Sequence, residues 1–171
     1  MPERYSVKER LRDGREIEIR ALHPEDEADM LAAVGRTSPQ SLQRRFFVAK
    51  RSFSEREIAF FMNIDFRDHV ALVALASEDG QPTIVGGGRY VAGPPGSAEI
   101  AFIVIDDWQS LGIGSLLARH LIILARRANL AELVAEVLPE NTPMLHVFKR
   151  LGFQPQRGGD PQVVHLAMKL D

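Results

Sequence analysis

The chain has 171 residues, 45% hydrophobic and 26% charged, with a formal net charge of -2 and a pI of about 6.2. That balance predicts one globular domain over residues 1–171 with room for a core, and it excludes bulk electrostatic capture of nucleic acid or an anionic membrane. The absence of cysteine excludes disulfides, thiolate metal sites and a cysteinyl intermediate; with a charged N-terminus and no apolar run long enough to cross a bilayer, the expectation is a cytoplasmic protein.

In chain order, residues 16–21 alternate as a strand with Ile17 and Ile19 on one face. Pro24 opens a helix with Glu25, Asp26 and Glu27 in its first turn, and Gly35 ends it. Ser38-Pro39 opens a second helix through Phe47. Ser54-Glu55-Arg56-Glu57 is a capping box before Ile58, so a third follows. Residues 70–76 and 84–92 read as strands, the latter holding Gly86-Gly87-Gly88, a signature of a bulge or a close backbone approach. Gly93-Pro94-Pro95-Gly96 is a turn and makes its flanking strands an antiparallel pair. Residues 98–105 form the next strand. Ile113, Leu116, Leu117, Leu121, Leu124 and Ala128 then recur at helical spacing, with Arg126 and Arg127 in the last turn and Asn129 as a left-handed cap. Residues 133–137 form a strand, which implies a parallel crossover. Asn141-Thr142-Pro143 starts a last helix that Gly152 ends, and residues 163–170 close as a strand.

The segment Gln109-Ser110-Leu111-Gly112-Ile113-Gly114 joins a strand to a helix. Such a turn collects free backbone N–H groups at a helix N-terminus, an anion site for which phosphate is the usual ligand. Glycine lets a phosphate reach the backbone. A P-loop is excluded because Ser115, with no lysine, follows Gly114. A dinucleotide fingerprint is excluded because its third glycine is missing.

The remaining pattern resembles the GNAT acetyltransferase superfamily. Its acetyl-CoA signature, Arg/Gln-x-x-Gly-x-Gly/Ala after a strand, is met by Gln109, Gly112 and Gly114. Its second signature, an Asn opening a helix that ends in Leu-Gly-Phe, is met by Asn141 and Leu151-Gly152-Phe153. A closer resemblance is to the acetyltransferase domain of Pat-type bacterial protein lysine acetyltransferases. It is carried by Leu11-Arg12-Asp13-Gly14-Arg15, Pro24-Glu25-Asp26, Ser41-Leu42-Gln43-Arg44-Arg45-Phe46-Phe47, Ala98-Glu99-Ile100-Ala101-Phe102 and Asp107-Trp108-Gln109. The resemblance implies an α/β (α+β) GNAT fold: a mixed, mostly antiparallel sheet of about six to seven strands flanked by helices, with one parallel pair at the CoA turn. Pat-type proteins often add a cyclic-nucleotide-binding or acyl-CoA-synthetase-like domain, and the length predicts a stand-alone version.

The resemblance also implies the site. Gly112 and Gly114, with the amides of Ser110, Leu111, Ile113 and Ser115, bind the pyrophosphate of acetyl-CoA. Phe102, Ile103 and Val104 match the strand that hydrogen-bonds pantetheine. Gln109 belongs to the motif, and Asn141 is an N-cap that can also face the ligand. Where a basic residue often stands, this chain has Leu111. Phe148 occupies the position of a Tyr that protonates the leaving thiolate in many members; phenylalanine cannot, which leaves water or an unassisted thiolate of pKa about 8.5. Glu99 is the expected catalytic residue. A lysine of pKa about 10.4 is ammonium at neutral pH, and a carboxylate in the motif strand can take its proton; a frayed strand end is the competing reading of Glu99.

The expected acceptor is a protein presenting a lysine, an acyl-CoA synthetase being the best single guess, and the chain acts as a monomer or homodimer. Two alternatives stand beside it. A small amine could be acetylated in a pocket where Asp65, Asp68 and Glu99 converge, or the domain could bind acyl-CoA without turnover, which Phe148 favours. The histidines, with no i, i+4 pair, make no metal pattern, and His120 reads as packing or surface. Arg44-Arg45 and Lys50-Arg51 fit a solvated helix face better than a partner surface.

Overall fold

The computed structural model describes residues 2–35 and 54–170. Within them one eight-stranded sheet has the order β1-β2-β3-β4-β5-β6-β8-β7. The strands are β1 Ser6–Arg10, β2 Glu16–Ala21, β3 His69–Glu78, β4 Gln81–Ala92, β5 Ser97–Val104, β6 Glu132–Val137, β7 Gln154–Gln156 and β8 Val164–Lys169. The described helices are α1 Glu27–Gly35, α2 Glu55–Met62, α3 Ile113–Arg127 and α4 Thr142–Leu151. The expected helix from Ser38 to Phe47, with Arg44, Arg45, Lys50 and Arg51, lies outside the described residues.

The sheet has more strands than the expected six to seven, and the two without a sequence signal are β1 and β7. In β1 (SVKER) Val7 is the one apolar residue, so no alternation marks it. β7 is three residues long and contains Pro155, tolerated because it is the outermost strand.

Capping chemistry sets the helix ends. Glu57 N–H donates to Ser54 Oγ (3.2 Å) and Ser54 N–H to Glu57 Oε1 (3.0 Å), closing the box that starts α2. Asn129 at φ 61° and Gly152 at φ 106° provide the left-handed exits after α3 and α4. A 3₁₀ turn, Pro24–Asp26, leads into α1. There the Arg20 guanidinium donates to both oxygens of buried Asp26 at 2.8 and 3.0 Å, and His23 N–H adds a third bond at 2.7 Å.

The glycine run in β4 combines a bulge with a close approach. Pairing with β3 shifts between Ala74 and Leu75, so Ala74 faces Gly86 while Leu75 faces Ile84. Gly86 and Gly88 lie under α3. A Cβ on Gly88 would sit 2.9 Å from Leu121 Cδ1 and 3.1 Å from Phe102 Cβ, and one on Gly86 would sit 3.1 Å from the Ile103 carbonyl. Missing side chains here seat the apolar face of α3 (Ile113, Leu117, Leu121, all buried) against the middle of the sheet.

β1 is fastened to α3 by a polar cluster. Buried His120 hydrogen-bonds Tyr5 Oη through Nδ1 and Glu9 Oε2 through Nε2, the latter at 2.6 Å. His120 is thus a bridge between the first strand and the central helix.

All strand pairs are antiparallel except β5–β6. That parallel ladder is short, pairing Ser97 with Glu132, Ala98 with Leu133 and Glu99 with Val134. From Ile100 to Val104, β5 remains paired with β4 but has no strand on its other edge among the described residues. The sheet therefore opens at the carboxyl ends of β5 and β6, where ligands bind in open α/β sheets.

Candidate active site

The opening leads to a cleft of about 610 Å³ bordered by the end of β5 (Phe102, Ile103, Val104), the turn Gln109–Ser115 and the start of α4. Each strand of the parallel pair is followed by a helix whose N-terminus borders this cleft. The first amides of an α-helix have no intrahelical acceptor. In α3 the bond from Leu116 N–H to the Gly112 carbonyl, at 3.1 Å, closes the first turn. The amides of Ile113, Gly114 and Ser115 precede it, and with the helix dipole they favour an anion.

The turn adopts a geometry that the sequence marks only partly. Gly112 sits at φ 95°, as its residue type allows, but Ser110 also sits at φ 67°, a conformation a β-carbon disfavours. Gly114 is small for packing: a Cβ would lie 3.1 Å from Phe102 Cε2. The bare backbone at these glycines, the helix N-termini and the open strand edge fit a phosphate-bearing ligand whose amide-containing arm can pair with β5.

The sequence-derived residues separate on inspection. Phe102, Ile103, Val104, Gln109, Ser110, Gly112, Ile113, Gly114, Ser115 and Asn141 line the cleft. The Gln109 side chain is committed to the turn, its Nε2 donating to the Val104 carbonyl at 3.0 Å. Asn141 is buried, and its Oδ1 accepts from Met144 N–H at 3.4 Å, a long N-cap bond. Leu111 borders a neighbouring groove instead. Phe148 is buried between Phe102 and Phe153, with ring centroids at 5.3 and 4.8 Å, and does not line the cleft.

Glu99 is not part of the cleft lining. It occupies the last rung of the parallel ladder, where β5 and β6 separate. Ile100 and Phe102 are buried beneath α3, so alternation turns exposed Glu99, with Ala101 and Ile103, to the opposite face. Across β4, Glu99 faces Val91, which in turn faces His69 of β3. On this face Arg89 Nη1 donates to the Phe61 carbonyl at 3.0 Å and lies 2.8 Å from His69 Nε2. Phe60, 49% exposed, stacks on the His69 ring at 5.1 Å.

His69 and Asp65, near this face, are each engaged by neighbouring groups. Burial first, then the charge of Arg89, pushes His69 down to about 4, so it is neutral at pH 7. Asp65 Oδ1 accepts the backbone N–H groups of Arg67, Asp68 and His69 at 2.9, 2.9 and 3.0 Å. Those bonds, that of Arg67 foremost, hold its carboxyl below the usual range. It organises the loop before β3.

Sequence reasoning missed Arg12, Trp108, Met144, His146, Val147 and Arg150 as cleft residues. His146 and Arg150 are one turn apart on α4 and detectable by helical spacing once the cleft face is known. Arg12 comes from the turn between β1 and β2, its Nε 3.5 Å from where a Gly112 Cβ would sit. It puts a cation at the glycine turn, which Leu111 does not. No spacing rule links positions 12 and 112.

Comparison with known proteins agrees with this geometry. The profile of the Acetyltransferase (GNAT) family matches residues 38–153. Acetyltransferase PA5475 of Pseudomonas aeruginosa is 36% identical over 160 residues, 92% of this chain and 86% of that protein. Acetyltransferase Pat of Mycolicibacterium smegmatis is 29% identical over 144 residues, 83% of this chain but 42% of that longer protein. Among solved structures, the GNAT domain of S. lividans PAT superposes with a TM-score of 0.88 at 30% identity, covering 96% of this chain and 97% of that domain. The cleft at the split sheet, its bare glycine turn and these similarities identify the chain as a member of the GNAT acetyltransferase family of acetyl-CoA-dependent N-acetyltransferases.

Proposed function

We propose that this chain acetylates the side-chain amine of a lysine on a protein, with acetyl-CoA in the cleft and Glu99 as general base. The observation that carries the reading is the position of Glu99 at the root of the split, on the face opposite the helix N-termini. A donor held from one face and an amine arriving from the other would meet there. The similarity to the Pat proteins supports a protein acceptor, and an acyl-CoA synthetase is the acceptor the resemblance suggests. The small-amine alternative asked Asp65, Asp68 and Glu99 to converge, and Asp65 is instead engaged by backbone amides.

In this reading Gly112–Ser115 hold the pyrophosphate through backbone N–H groups, and the open edge of β5 aligns the pantetheine arm. Asn141 fixes the start of α4 beside it. Glu99 takes one proton from the lysine ammonium, directly or through a water, which frees the nitrogen lone pair; such assistance contributes roughly 10²–10⁴ in rate. The thioester supplies the activated acetyl group: nitrogen bonds its carbonyl carbon as the C–S bond breaks, the nitrogen's second proton passes through water to the thiolate, of pKa about 8.5, and Glu99 returns the first proton to solvent. Phe148 gives no proton, and its ring packs against Phe102 behind the cleft.

The test is to incubate the protein with acetyl-CoA and an acetyl-CoA synthetase and record the intact mass of the synthetase. A gain of one acetyl group, absent with Glu99→Gln, is the expected result. No gain on the synthetase or on a panel of lysine peptides, with acetyl-CoA binding intact, would overturn the protein acceptor. A gain undiminished in the variant would overturn Glu99 as base.

A further inference from the structure

A second groove, of about 590 Å³, continues from the cleft and shares Arg12, Gly112, Ser115, Val147 and Arg150 with it. Its rim carries Arg10 and Arg12 from the first hairpin, Arg119 and Arg126 from α3, and Arg150 from α4. Its floor is apolar, with Leu116, Ile122, Leu151 and Met168.

The ordinary explanation, a solvated helix face, predicts acids interleaved with these cations. Here α3 (IGSLLARHLIILARR) and α4 (TPMLHVFKRL) contain none, and among the described residues no carboxylate borders the groove. Arg10 donates to the Gly14 carbonyl at 2.8 Å. Arg12, Arg119, Arg126 and Arg150 have no ion pair among the described residues. Five guanidinium groups around one groove, on a chain of net charge -2, form a local anion site that the overall charge conceals.

Direction decides which anion. The cleft and the groove meet at Arg12, Gly112, Ser115 and Arg150, so a CoA molecule whose pantetheine follows β5 and whose pyrophosphate sits at Gly112–Ser115 has this groove open to the rest of it. Its remaining portion is a purine nucleoside bearing a 3′-phosphate, an apolar ring with a dianionic ester, which matches an apolar floor with a cationic rim. Arg12 and Arg150 border both spaces and suit the pyrophosphate. Arg119 belongs to the groove alone, and at about 1.5 Å per residue it lies about 6 Å along α3 from Ser115; Arg126, on the same stripe, is about 16 Å away.

Resting on the CoA reading above, we propose that the groove receives the 3′-phosphoadenosine end of CoA and that Arg119 grips its 3′-phosphate. Arg119 is thereby the residue that distinguishes CoA from 3′-dephospho-CoA.

Calorimetry with CoA and 3′-dephospho-CoA tests this without turnover. The unmodified protein is expected to prefer CoA by about tenfold or more, the scale of a charge-assisted guanidinium–phosphate bond. Arg119→Ala is expected to lower CoA affinity by about the same factor, leave 3′-dephospho-CoA unchanged and so erase the preference, whereas Arg126→Ala keeps it. Equal affinities in the unmodified protein, an unchanged ratio in Arg119→Ala, or equal losses for both ligands would overturn the proposal. Failure of the unmodified protein to bind either ligand would overturn the CoA reading itself.

Discussion

The two faces of β5 are built from different material. On one side, helix N-termini and bare glycines border the cleft and offer main-chain groups to the proposed donor. On the opposite side, where the proposed acceptor would arrive, Glu99, Arg89, His69 and Phe60 are side chains drawn from β3, β4, β5 and α2. Main-chain recognition needs particular φ angles and no side chain, so it leaves a compact sequence signature such as Gly112-Ile113-Gly114. Side-chain recognition is assembled across distant segments and leaves none. A shared fold therefore establishes the donor chemistry far more firmly than the acceptor.

Substitutions on each face sharpen that contrast. The largest effect is expected from Gly112→Glu, which sets a carboxylate against phosphate at a residue with φ 95°. Like charges about 4 Å apart at an effective dielectric of ~20 repel by about 4 kcal/mol. Acetyl-CoA affinity should fall roughly a thousandfold in calorimetry, and unchanged affinity would remove the main-chain cradle. On the other face, Glu99→Gln should lower kcat by roughly 10²–10⁴ while acetyl-CoA affinity stays the same. A matching loss of affinity would mean that the two faces are not separable.

Gly88→Ala tests packing beneath the cleft. The new methyl would meet Leu121 and Phe102 at 2.9 and 3.1 Å, and overpacking of this kind costs about 1–3 kcal/mol, read as a lower denaturation midpoint. The smallest effect concerns His69. Its folded pKa of about 4 lies below the ordinary 6.5, so between those values the unfolded chain binds more protons. The His69 contribution to stability is complete above about 6.5 and is lost as pH falls toward about 4. Thermal melts of His69→Gln should lack that part of the acid decline, and identical pH profiles would show that His69 is not held neutral.

Much of the fold was legible because periodicity and caps agree. The first predicted strand matches β2, the capping box starts α2, and Asn141 and Gly152 bound α4. β1 escaped because a polar edge strand has no period-2 signal, and with it went Arg12 and the hairpin's place beside the cleft. Phe148 was expected beside the ligand because of its place in the motif; its burial against Phe102 and Phe153 depends on side-chain packing in three dimensions. The arginine groove was invisible for another reason. Its residues come from three segments whose charges cancel in any chain-wide sum.

The shortness of the parallel ladder has a further consequence for solubility. An unpaired strand edge is a template for any extended chain, including another copy of the same protein. In the proposed reading a ligand pairs with the edge along Ile100–Val104, which has no second strand among the described residues, so without the ligand that edge is open to another extended chain. Occupancy both covers that edge and adds stability in proportion to RT ln(1 + [L]/Kd). The availability of acetyl-CoA would then govern how long the protein stays dispersed as well as how fast it works.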